Sequence, residues 1–139
     1  MHADSAAESA IERLGDLSGR TVHVEYGSEG DVQARRLQAR WDDLEIETHD
    51  TAEEALLAVA EQPDGAAIVD AVSARLYIRS LTGEAPTRTG LQIVGESLYD
   101  ELYVIAVHPR AESLQTAINE ALVELRESGE LDALLDRWL

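Results

Sequence analysis

Hydrophobic positions along this chain follow two periods. Val22 and Val24 sit two apart within Arg20–Tyr26, and Leu44 and Ile46 do the same within Leu44–Thr48. That is the period of a half-buried strand. Ala66-Ala-Ile-Val-Asp70 is apolar on both faces, which predicts a central strand covered by helices on each side. Leu91–Gly95 and Leu102–Val107 read as two more strands. Between these runs the spacing changes to three and four. Ala34, Leu37 and Trp41 predict a helix over 30–41. Ala52, Ala55, Leu56, Val59 and Ala60 predict another behind the capping box Thr51-Ala-Glu-Glu54. A further helix is expected at 71–81, and Thr82–Gly90 is a loop marked by Gly83, Pro86 and Gly90. At the start, Ser5-Ala-Ala-Glu8 is a second capping box, and it predicts a short helix at about 6–14. At the other end, Ser113 is expected to cap a helix striped by Leu114, Ala117, Ile118, Ala121, Leu122 and Leu125. Gly129 stops it, and Leu131, Leu134, Leu135 and Trp138 form a last amphipathic helix. Strands alternating with helices predict an α/β fold with a mostly parallel sheet.

Composition narrows the function without choosing it. The chain has 139 residues, enough for one domain with a real core. It has no cysteine, so disulfides and thiolate chemistry are excluded. No apolar run is long enough to span a membrane, and the first residues lack the pattern of a signal peptide. There are 28 acidic and 11 basic residues, the basic ones all arginine, for a net charge of -17. Such a surface repels nucleic acid and anionic membranes. Adaptation to high salt and a GC-rich genome both account for it, and neither identifies a ligand.

Three blocks resemble the family 3 bacterial extracellular solute-binding proteins. The first is Asp16-Leu-Ser-Gly-Arg-Thr-Val-His-Val-Glu-Tyr-Gly-Ser28. The second is Ala67-Ile-Val-Asp-Ala71. The third joins Tyr103-Val-Ile-Ala-Val107 to Leu114, Ile118-Asn119, Ala121-Leu122, Leu125, Gly129 and Arg137-Trp138. The blocks follow the family's order over 16–139. The resemblance implies one lobe of a type II periplasmic binding protein, a mostly parallel five-stranded sheet with one antiparallel strand and helices on both faces. Residues 16–97 correspond to the second-lobe core. Residues 102–139 correspond to the strand and two helices that in the family return to the first lobe. The first lobe itself has no counterpart. The resemblance also predicts that 102–107 fills a vacant antiparallel strand slot beside 66–70, from the same chain or a swapped partner.

Gly27-Ser28 ends a strand and opens a helix, where free backbone N–H groups attract anions and glycine allows close approach. The resemblance makes this turn the seat of an amino acid's α-carboxylate. Asp70 stands at a strand's carboxyl end, and the resemblance pairs it with the α-ammonium. Each has an equally good structural role as a helix cap. Glu29, where the family often has Ser or Thr, would repel an anion or cap the helix. With one wall of the cleft, weak amino-acid binding or none is expected of this chain alone. His2, His23, His49 and His108 are scattered singly without metal-ligand spacing, and no metal or other cofactor is expected. His23, between Val22 and Val24, is expected to be packed on one sheet face.

The reading is therefore a non-enzymatic solute-binding module for a polar amino acid or similar zwitterion. In a full-length protein it would work with ABC transporter membrane subunits, in the periplasm or outside the cell. The alternative is a single-lobe regulatory or homodimerising domain without a transport role. An enzyme is the third class, and no residue constellation supports it.

Overall fold

Thr21–Glu25 forms β1, the middle strand of a three-stranded parallel sheet in the order β2-β1-β3. The computed structural model describes residues 10–62, 64–82 and 90–138. β2 is Glu45–His49 and β3 is Ala66–Ala67. α1 (Glu29–Gln38) connects β1 to β2, and α2 (Ala52–Glu61) connects β2 to β3. α3 (Ala71–Thr82) follows β3. Val22 and Val24 are fully buried because β1 has a strand on either side and helices packed over it. They form one cluster with Leu17, Ala34, Leu37 and Leu44, and Trp41, Ile46 and Ile68 pack at its rim.

Local chemistry sets the helix ends. Ser28 Oγ accepts from Asp31 N at 3.2 Å and caps α1. At the far end of α1, Gln38 Nε2 donates to the Leu44 carbonyl at 3.0 Å and ties the helix to the approach to β2. Thr51 Oγ1 accepts from Glu54 N at 3.2 Å and caps α2 as its sequence predicts. Glu54 returns the contact one residue early, accepting from Asp50 N at 3.1 Å.

The sheet corrects the five-stranded expectation. It has three strands, all parallel, and no antiparallel strand is present among the described residues. Ala66–Ala67 pairs with Val22–His23 only, so the strand expected over 66–70 is two residues long. Leu91–Gly95 and Leu102–Val107 form no strand. An extended segment is a strand only when a neighbour accepts and donates its backbone bonds. A β3 of two residues offers little edge for a further strand. Residues 6–9 of the helix expected at 6–14 lie outside the described residues. Its described part, 10–13, is not helical, and Leu14–Leu17 forms a 3-10 turn. Most of the loop expected at 82–90 also lies outside them.

The chain divides into two compact units, Met1–Leu98 and Tyr99–Leu139. The second contains α4 (Glu112–Glu127) and α5 (Glu130–Trp138), joined through Gly129 at φ 77°. α4 begins one residue before the predicted cap, so Ser113 lies inside its first turn. Neither helix has a buried residue. Before them, Leu102, Tyr103, Val104 and Ile105 are exposed, Leu102 to 91%.

Candidate functional site

The turn after β1 runs from Gly27 to Asp31. Gly27 has φ 74°, a left-handed conformation that a side chain disfavours, and it swings the chain from strand into helix. Its N–H donates to Asp31 Oδ2 at 3.1 Å. Asp31 is buried, and Arg35 Nε lies 2.9 Å from its Oδ1 as a charge contact one helical turn on. Gly30 lies against β3's continuation: a Cβ there would collide with the Ile68 carbonyl. Glu29 is drawn back along α1, where Oε1 accepts from Gln33 Nε2 at 2.7 Å and lies 3.9 Å from Arg36 Nη1. The N–H groups of Glu29 and Gly30 are the first two of the helix, and an α-helix gives them no internal acceptor. They and the Ser28 hydroxyl proton are available to an anion.

Asp70 is exposed at the start of α3. Its Oδ1 accepts from Ser73 N at 2.8 Å, an N-cap contact that uses one carboxylate oxygen. Ile68 N donates to the His23 carbonyl at 3.0 Å, which holds this segment beside β1. Gly27-Ser28 and Asp70 therefore leave the same carboxyl end of a parallel sheet, from adjacent strands. Ligands gather at such ends in open α/β sheets. Both residues are helix caps, and each keeps a polar group beyond its cap: a hydroxyl proton on Ser28, a carboxylate oxygen on Asp70.

A second cluster lies on the sheet itself. His23 is fully buried, as its place between two valines predicts. Its Nδ1 is 3.0 Å from His49 Nε2 and 3.8 Å from Glu47 Oε2. Parallel register sets His23 opposite Glu47, and His49 is two residues further along the same face of β2. Spacing along the chain hides the cluster because 23 residues lie between His23 and Glu47. The signal that marks it is Glu47-Thr48-His49, two metal-ligating side chains at strand period. Burial holds the His23 imidazole below its ordinary pKa; the Glu47 carboxylate opposes this, and His49 adds to it. His23 Nε2 is buried without a partner among the described residues, close to Gly65.

No family model matches the chain. Two curated proteins align over nearly all of it. The amino-acid-binding protein AabA of Dichelobacter nodosus is 27% identical over 94% of this chain and 50% of its own length. The arginine-binding extracellular protein ArtP of Bacillus subtilis is 24% identical over 96% of this chain and 50% of its own. An ancestral arginine-binding protein bound to arginine superposes with a TM-score of 0.69 at 27% identity, covering 93% of this chain and 54% of that one. The same kind of ancestral protein bound to glutamine gives 0.68, and an arginine-binding protein mutant from T. maritima gives 0.63. The chain spans about half the length of the curated relatives it matches.

Proposed function

We propose that this chain, related over its length to half of the extracellular amino-acid-binding proteins, supplies one wall of an amino-acid site at Gly27-Ser28 and Asp70. One observation carries the reading. Two adjacent parallel strands deliver an anion-seeking group and a cation-seeking group to the same end of the sheet. The Ser28 hydroxyl with the Glu29 and Gly30 amides suits an α-carboxylate. The second oxygen of Asp70 suits an α-ammonium. The pair matches the two charges of a zwitterion. Nothing on this wall closes over the ligand, so both contacts stay in water and are weak.

The module acts by binding, in line with relatives that are binding proteins. A polar amino acid is the proposed ligand, and ABC transporter membrane subunits are the proposed partners of the full-length protein. Its proposed location is periplasmic or extracellular. No described helix is long and apolar enough to cross a membrane.

Titration of the 15N-labelled chain with L-arginine and L-glutamine tests this. Backbone signals of Gly27–Gly30 and Asp70–Ser73 are expected to shift together, with a Kd near or above millimolar, about −4 kcal/mol. Asp70→Asn keeps a good N-cap and removes the charge, and it is expected to abolish the shifts. Micromolar binding would show that the site is not one-sided. Shifts confined to other residues would place the ligand elsewhere.

A further inference from the structure

We infer that His23 Nδ1, His49 Nε2 and Glu47 Oε2 form a three-ligand site for a late first-row divalent metal ion. The inference is independent of the amino-acid site. These atoms all lie within 4.8 Å of one another, the one such group among the described residues. Two imidazoles and a carboxylate are the donor set that such ions prefer, whereas Mg²⁺ prefers oxygen donors alone.

The geometry selects further. Two metal–nitrogen bonds of about 2.05 Å spanning the 3.0 Å between Nδ1 and Nε2 enclose an angle of about 94°. This is closer to the right angle of an octahedral or square-planar ion than to the tetrahedral angle. An ion there replaces the proton that the two ring nitrogens share at 3.0 Å, and His23, on the buried central strand, has less room to adjust than His49. Glu47 has more distance to close, and its side chain is about half exposed and free to rotate. His49 is partly exposed as well, so the open side of the site faces water and leaves positions for water ligands.

The environment assists the nitrogen donors. An imidazole binds a metal through the lone pair of a neutral ring nitrogen. With the His23 proton on Nε2, the Nδ1 lone pair accepts from His49 Nε2–H, and on metal binding His49 gives up that proton and keeps its N–H on Nδ1. The net charge of -17 concentrates cations around the molecule. That field is unselective, so the test must separate it from the site.

The experiment is calorimetric titration of the tag-free chain with Ni²⁺ in excess Mg²⁺, which occupies diffuse carboxylate positions. One ion per chain is expected. His49→Ala should weaken it at least tenfold, and Glu47→Gln, which leaves both rings in place, by a smaller factor. His2→Ala and His108→Ala test the two imidazoles outside the cluster and should leave binding unchanged. Circular dichroism of each variant confirms that the sheet persists. In the NMR spectrum, Ni²⁺ should broaden the ring signals of His23 and His49 first among the four histidines. Absence of one-to-one binding in excess Mg²⁺ overturns the inference. So does binding that survives His49→Ala or disappears with His2→Ala.

Discussion

Burial fixes the protonation state of His23 before any ligand does. The ring has no water to solvate a second proton, and Glu47 is too exposed to replace that solvation fully. The folded pKa is therefore below the unfolded value of about 6.5. As pH falls through that unfolded value, the unfolded chain takes up a proton that the folded chain resists. The unfolded state then binds more protons, so stability decreases with falling pH until the folded pKa is passed. With chelator present, urea unfolding midpoints are expected to drop between pH 7 and 5. His23→Val should flatten that part of the profile. An equal slope in the variant would assign it to the carboxylates. At this scale the sequence was informative where a role is local. Ser28 and Asp70 are visible because a cap is defined by its own next few residues. Asp31 and Glu47 carry no such local mark, because their partners depend on a turn conformation and on strand register.

The approach of α1 to Ile68, just after β3, depends on one missing side chain. Gly30 lies in the first turn of α1, where alanine would normally be the better helix former by about 0.5–1 kcal/mol. Here its Cβ would meet the Ile68 carbonyl, a backbone atom that cannot turn aside. The clash outweighs the propensity, because overpacking a fixed contact costs about 1–3 kcal/mol. Gly30→Ala is expected to lower the thermal midpoint by several degrees. Gly15→Ala, whose new methyl meets nothing within 4 Å, is expected to leave it unchanged. Equal midpoints for the two variants would show that α1 can shift. β1, β2 and the helices α1 to α5 were legible in sequence to within a few residues, since each follows a period and most end at a cap or a glycine. The strands expected at 91–95 and 102–107 were not. Their apolar, β-branched composition suits a strand, but strand pairing needs an edge that lies outside the segment, and no local pattern reports whether that edge exists.

At the scale of the molecule, apolar surface and charge oppose each other. Leu114, Leu122, Val123, Leu134, Leu135 and Trp138 on α4 and α5 are exposed, with Leu102–Ile105 before them. Water penalises such surface by about 25 cal/mol per Å². In a solution of this chain alone, the first unit or another copy can cover it, and a second copy could also offer 102–107 a strand edge. Each copy carries a net charge of -17, so a dimer gathers 2 × -17 = -34. That repulsion acts over a Debye length of about 10 Å at 0.1 M salt and about 3 Å at 1 M. Salt therefore shifts the balance toward burial of the apolar stripes. Light scattering is expected to find monomer in dilute buffer and dimer in molar NaCl, with the thermal midpoint rising over the same range. Replacing Leu134 and Leu135 with Ser should remove the salt-driven association. It should leave most of the rise in midpoint, because self-repulsion within one chain is screened regardless of α5. Dimers that persist unchanged in the Leu134→Ser, Leu135→Ser variant would assign the interface to another surface. A midpoint insensitive to salt would show that the acidic residues are spaced widely enough not to strain the monomer.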